Sequence, residues 1–309
     1  MSDTVATLRR KIDGASDLQS VVRTMKALAA SNIGQYERSL RALSDYYKTV
    51  QLGLSASFRE NEAQASFVAQ SGQKDAKVVG VVVFGSDQGL VGRFNETVAD
   101  EAMKFLLALG GKVDVWAVGE RVHARLTNAG VTMAGLFAVP SSVRAIAPLV
   151  GQLLLETETR HGLREVTELH LFYNAPTSGS VYAPVQERLL PLDDAWRREL
   201  VDLPWPTKNL PEVVGGGSTT LRALIREYLF VSLFRACAES LASENASRLA
   251  AMERADKNIN DLLETLRGLF HRLRQSGIDE ELFDVIAGFE ALSKPKLHRA
   301  ADGMGHVER

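Results

Sequence analysis

Phosphate chemistry would have one address in this chain. The stretch "GSDQGLVGRFN" (residues 85–95) follows a β-branched run and precedes a helical pattern, the place where strand-to-helix turns hold phosphate on a helix N-terminus. Its spacing is neither G-x-G-x-x-G nor G-x-x-x-x-G-K-[ST], and no Lys-Ser or Lys-Thr follows. It therefore reads as a tight turn with Asp87 and Asn95 bonding local backbone. His123, His161, His170, His271, His298 and His306 are scattered, with no i,i+4 partner and no cysteine close by, so they give zinc no ligand set. Ser86, Asp87 and His170 are the residue types of an acyl-transfer triad, but no G-x-S-x-G elbow presents the serine. "DEELFD" (279–284) is acidic without the glycine-centred spacing of a calcium loop and reads as a solvated helix face. Cys237 is the single cysteine, set in the apolar run "LFVSLFRACAESL". It reads as a small buried hydrophobe, and no disulfide or cysteine-pair metal site can form within the chain. No catalytic residue, metal or cofactor is expected.

Composition narrows the remaining classes. A net charge of −2 over 309 residues excludes a dedicated nucleic-acid binder. With 45% apolar and 24% charged residues the chain has an ordinary globular composition, and no apolar run is long enough to span a bilayer. "MSDTVATLRRKI" lacks an apolar signal core, so a cytosolic chain is expected.

The elements that must position these residues fall into three parts and a tail. Residues 1–60 carry apolar side chains at helical spacing, including Leu8, Ile12, Leu18, Val21, Val22, Met25, Leu28, Ala29, Ile33 and Tyr36, with no proline. Gly14 is a weak point, and Ser16 with Gln19 fits a capping box that restarts the helix. Residues 61–218 begin with a loop, then alternate apolar strand runs ("KVVGVVVF", "KVDVWAVG", "VTELHLFYNAP", "SVYAPVQERLLP") with helical patterns, and close in a Pro/Gly connector. Such alternation predicts a small Rossmann-like α/β sandwich with a largely parallel sheet. Residues 219–292 return to helical spacing without proline, and 293–309 form a polar tail in which Pro295 should stop the helix. At 1.5 Å per residue the two terminal helices would be about 80 and 110 Å long. A domain of this size cannot enclose them. The expected fold class is therefore α/β plus a long antiparallel coiled coil, in which the terminal helices bury their stripes against each other and flank the α/β domain. "TMKALAASNIG" (24–34) has small side chains at 27, 29, 30 and 31, which would allow close approach. The apolar far end of the coil needs cover from outside the chain.

Three ordered blocks carry a resemblance. "LRRKIDGASDLQSVVRTMKALAAS" resembles the N-terminal helix of the gamma subunit of F-type ATP synthases, "GSDQGLVGRFN" its Asp-Arg-Gly-Leu-Cys-Gly-x-x-Asn loop, and "ASENASRLAAM" (242–252) its C-terminal helix. The resemblance implies a central rotor stalk, one copy inside three alpha and three beta subunits. Its α/β domain would rest on the membrane rotor ring beside the epsilon subunit. It would couple ion translocation to ATP synthesis or hydrolysis on the beta subunits, with no nucleotide or nucleic acid bound by the chain itself. The place implied is the cytoplasmic face of a bacterial cell membrane. Met25, Lys26, Arg248, Gln275 and Asp279 fall on positions that meet or support the beta contact. Asp87, Gly89, Leu90, Gly92 and Asn95 belong to a loop that would pack rotor parts together. Asn32 stands where the family has lysine, Gln88 for arginine and Val91 for cysteine, which marks a divergent branch. The alternative reading is a non-catalytic coiled-coil scaffold with an unrelated ring or helical partner.

Overall fold

The computed structural model describes residues 4–60, 79–109, 113–159, 168–178, 181–192, 194–209 and 217–293. The expected loop at 61–75, most of the glycine joint before 217, the stop at Pro295 and the polar tail lie outside the described residues. In chain order the elements are α1 (Val5–Glu60), β1 (Val79–Phe84), α2 (Phe94–Leu109), β2 (Val113–Val118), α3 (Glu120–Asn128), β3 (Met133–Phe137), α4 (Val143–Thr159), β4 (Glu168–Ala175), β5 (Ala183–Leu190), α5 (Asp194–Val201) and α6 (Gly217–Ser293).

The sheet order is β3-β2-β1-β4-β5. The β1–β2, β2–β3 and β1–β4 pairs are parallel and β4–β5 is antiparallel. The continuous apolar run of β1 follows from burial on both faces. Val79, Val81 and Val83 join one core with Val98, Ala99 and Ala102 of α2 and Val122 and Leu126 of α3. Val82 and Phe84 point the other way, into a core with Ile146 and Leu153 of α4, Val50, Leu54 and Phe58 of α1, and Tyr228 and Leu233 of α6. The period-2 alternation of a strand thus divides one β-branched run between two helical layers. A short helix, α5, interrupts what the sequence suggests is plain connector. Its Trp196 packs edge-on against Phe58 and Tyr228, and that burial fixes the helix.

The chain forms two compact units, Met1–Val22 with Ala255–Arg309, and Arg23–Arg254. In the second unit α1 and α6 pair as an antiparallel coiled coil. Tyr46 bonds Glu227, Asn32 bonds Asn245 and Lys26 faces Glu253, so residue numbers fall on one helix as they rise on the other. The buried seam of α1 steps by sevens through Leu8, Ala15, Val22, Ala29 and Tyr36, and that of α6 through Asn245, Met252, Ile259 and Leu266, the heptad spacing of knobs-into-holes packing.

Two details of α1 differ from the sequence expectation. The helix does not restart at Ser16. It runs unbroken from Val5 to Glu60, and Ser20 Oγ donates to Ser16 O within it. Gln19 is buried and donates to Asp256 Oδ1 (3.1 Å) and Asn260 Oδ1 (2.5 Å). Burial of Leu8, Ala15 and Gln19 along the seam outweighs the roughly 1 kcal/mol helix penalty of Gly14. Of the small residues in "TMKALAASNIG", only Ala29 lies in the seam; Ala27, Ala30 and Ser31 are exposed. Close approach there depends on one alanine, because the other seam position of each heptad falls on the larger, part-buried Met25 and Asn32.

Asn245 is 4% exposed and its Oδ1 accepts from Asn32 Nδ2 at 3.2 Å. Asn32→Ala is expected to lower stability by about 1–2 kcal/mol, since the buried oxygen loses its donor. An unchanged thermal midpoint of the full chain would show that the seam does not depend on the pair.

Candidate functional site

The turn after β1 is built by its own side chains. Asn95 at the start of α2 accepts from Ser86 N (2.9 Å) and donates to Ser86 Oγ (2.8 Å), and Ser86 Oγ donates to Gln88 O. Leu90 and Gly92 have positive φ, 63° and 58°, which lets the backbone double back over so few residues. Asp87 departs from the expectation of local bonding. Its Oδ1 accepts from Glu120 N at the start of α3, and its Oδ2 from Val139 N beyond β3. The carboxylate gathers three segments at the C-terminal end of the sheet because two amide donors from different crossovers converge there. One of them opens a helix, whose dipole favours the negative charge.

This turn also meets α6. Ser247 Oγ donates to Val91 O, and a Cβ at Gly92 would sit 3.6 Å from Ser247 Oγ. Gly89 is half-buried and Leu90 exposed at the tip. The crevice where a doubly wound sheet holds nucleotides thus has its turn bonded to Asn95 and to Ser247 of α6.

The five candidate partner-contact residues do not form one cluster. Met25 is half-buried. Lys26 lies 3.8 Å from Glu253, both partly exposed, a surface pair worth under about 1 kcal/mol that leaves the ammonium available elsewhere. Arg248 is turned inward. Its Nη2 donates to Glu244 Oε1 at 2.7 Å, with side chains 14% and 7% exposed. Burial raises the Glu244 carboxyl above its ordinary value, Arg248 opposes the rise, and Asp87 adds to it. In the other unit, Gln275 and Asp279 are exposed on a stretch of α6 whose described side chains past Phe270 are all exposed except Gly277.

Much of that exposure is apolar. Ile278, Leu282, Phe283, Val285, Ile286 and Phe289 of α6 are exposed, as are Leu18, Val21 and Leu28 on α1. The last three lie off the heptad seam on a second stripe, which helical spacing alone does not separate from the first. An apolar surface this extensive is unusual for a chain that stands alone.

A partly buried ionic group lies outside the sequence expectations. Arg235 pairs with Glu187 (2.6 Å) and Glu239 lies near both. The signal was available, since Arg235 is the one basic residue within "LFVSLFRACAESL". Burial raises the Glu239 carboxyl above 4.5; Arg235 opposes this, Glu187 reinforces it, and a hydrogen bond with Tyr173 opposes it. The folded chain therefore holds a proton that the unfolded chain has already released above pH 4.5, and stability falls as pH rises through that window. Glu239→Gln removes this titration. Its unfolding temperature is expected to match the native chain below pH 4.5 and to exceed it increasingly above. A pH-independent difference would refute the assignment.

Among the described residues no group of three or more His, Cys, Asp or Glu could hold a metal ion, and no helix is long and apolar enough to cross a membrane. The family model described as ATP synthase matches residues 4–292, nearly the whole chain, and curated relatives are ATP synthase gamma chains.

The chain belongs to the ATP synthase gamma-chain family.

Within that family it is 27% identical over 307 residues to the ATP synthase gamma chain of Syntrophus aciditrophicus, covering 93% of this chain and 98% of the relative. It is 28% identical over 301 residues to that of an Arthrobacter species, covering 95% and 99%. Among solved structures, a chain in the cryo-EM structure of the Euglena gracilis mitochondrial ATP synthase aligns with TM-score 0.60 at 15% identity over 97% of this chain and 99% of that one. A chain of the Tetrahymena thermophila mitochondrial central stalk and c-ring aligns with TM-score 0.54 at 22% identity, covering 76% and 99%. At these identities the structural likeness establishes the fold, two terminal helices flanking a small mixed sheet.

Proposed function

We infer that this chain is the gamma subunit of a rotary ATP synthase, its central rotor stalk. The observation that carries the reading is the family match over residues 4–292. The exposed apolar stripes on α1 and α6 support it: a shaft inside a ring presents such surfaces to the ring, and differential contact with the ring's conformational states does the work. The chemistry belongs to the partner beta subunits, and this chain supplies no catalytic group. One copy stands inside three alpha and three beta subunits, with the α/β part beside an epsilon subunit on the membrane rotor ring. The complex sits peripherally on the cytoplasmic face of a bacterial cell membrane and couples ion transport to ATP synthesis. Met25, Lys26, Gln275 and Asp279 contact the beta subunits, while Arg248 supports that contact from within through Glu244. The turn containing Asp87, Gly89, Leu90, Gly92 and Asn95 holds the α/β part to the shaft. A free-standing scaffold is the less favoured reading, since it leaves the family match unexplained.

The experiment is reconstitution with the alpha, beta and epsilon subunits of the same genome. The expected result is one complex with a single copy of this chain and three each of alpha and beta, with ATP hydrolysis dependent on the chain. Stable self-association of the chain through its coil, with no complex formed, would favour the scaffold.

A further inference from the structure

Strands β4 and β5 meet both long helices at one guanidinium. Arg235 Nη2 of α6 donates to Glu187 Oε1 of β5 at 2.6 Å, in a pair whose side chains are 32% and 22% exposed. Tyr173 OH of β4 donates to the other oxygen, Glu187 Oε2, at 3.0 Å. The guanidinium lies over the Tyr47 ring of α1, 5.3 Å from its centroid. Tyr47 packs on Tyr228, Tyr228 on Trp196 of α5, and Trp196 on Phe58. Four elements, α1, β4, β5 and α6, therefore converge on Arg235.

The surrounding contacts are mostly apolar, and apolar burial has no preferred direction. It resists separation of the layers far better than it resists sliding or twisting. A guanidinium held between a carboxylate and an aromatic face has direction, and partly buried pairs of this kind fix position more reliably than they add net stability. A second directional attachment lies further along the same helix, where Ser247 Oγ donates to Val91 O. From residue 235 to 247 the helix rises about 18 Å. One directional anchor would let the sheet pivot about it; the second, about 18 Å along the helix, removes that pivoting and holds the sheet against slip over the helix surface.

We propose that Arg235, held by Glu187 and the Tyr47 ring, is the positioning residue that keys the α/β part to the paired helices against torque. This rests on the rotor-stalk reading. In that reading the α/β part and the coil must turn as one body, and any slip at this joint dissipates the work of hydrolysis before it reaches the membrane ring.

Two measurements test it. In the isolated full chain, Arg235→Met, Glu187→Gln and the double variant are compared by hydrogen exchange of the β5 amides. Each single variant is expected to speed exchange, and the double to add little beyond either; fully additive effects would overturn the joint. In the complete reconstituted complex, Arg235→Met is expected to keep ATP hydrolysis and lose ATP-driven ion pumping, with Arg235→Lys restoring part of the pumping. Native pumping per ATP in Arg235→Met overturns the proposal. So does a proportional loss of hydrolysis, pumping and assembly, which is the signature of a role in folding alone. If the native chain itself forms no complex while the exchange coupling is present, the rotor-stalk reading is what fails, and the torque-bearing role falls with it.

Discussion

Gly119→Ala should destabilise the α/β part by about 3–5 kcal/mol, the sum of backbone strain and overpacking. Gly119 ends β2 with φ 116° and ψ 132°, a region that side chains rarely enter. A Cβ there would lie 2.8 Å from Ser86 N and 2.9 Å from Ser86 C and O. These are backbone atoms of the neighbouring turn, so no rotamer change relieves the collision. Gly119 N also donates to Phe137 O, which pins it to β3. Moving Ser86 aside would disturb both of its bonds to Asn95. Gly130→Ala is the control. Its φ is 87°, and nothing lies within 4 Å of its Cβ position, so only the left-handed backbone penalty of about 1–2 kcal/mol applies. The readout is the urea midpoint of the tertiary signal, with the slope unchanged. Equal losses in the two variants would show that the approach of Gly119 to Ser86 does not matter.

The second large effect lies on the same strand. Trp116 of β2 is 1% exposed and belongs to the core shared by the sheet, α4 and the coil. Gly135 on β3 makes room for it, since a Cβ there would stand 2.9 Å from the Trp116 ring. Trp116→Ala should cost about 3–5 kcal/mol through lost burial and the cavity left behind. The indole Nε1 is buried without an acceptor among the described residues, so Trp116→Phe removes an unsatisfied donor along with part of the ring. It is expected to cost less than half as much as the alanine variant. The same urea titration decides this, and a Phe variant as unstable as the alanine variant would mean that Nε1 has a partner.

Both sites show where sequence reading stops. That β1 and β2 are strands follows from their apolar, β-branched runs. Nothing local to Gly119 announces that Ser86, 33 residues earlier, lies against it. Asp87 has the same character: its residue type suits a turn, and its partners at Glu120 and Val139 come from other crossovers. Leu18 and Leu28 have the same spacing signal as Leu8 and Ala29, yet the first two face outward and the last two are buried. Composition does not distinguish stripes on one helix when both are apolar.

By itself the sequence determined the kinds of element, their approximate lengths, and the pairing of two over-long terminal helices around a small sheet. Those properties follow from backbone propensity, hydrophobic period and length, which act over a few turns or strands. The three ordered motifs likewise pointed to the family. Only the tertiary structure decided which apolar stripe forms the seam, that Gln19 turns inward rather than capping a new helix, and that Arg248 pairs with Glu244 inside the fold. It also decided the meeting of Arg235 with Glu187. Each of these depends on atoms brought together by packing, and the energy that selects one partner from many exists only after the layers have closed.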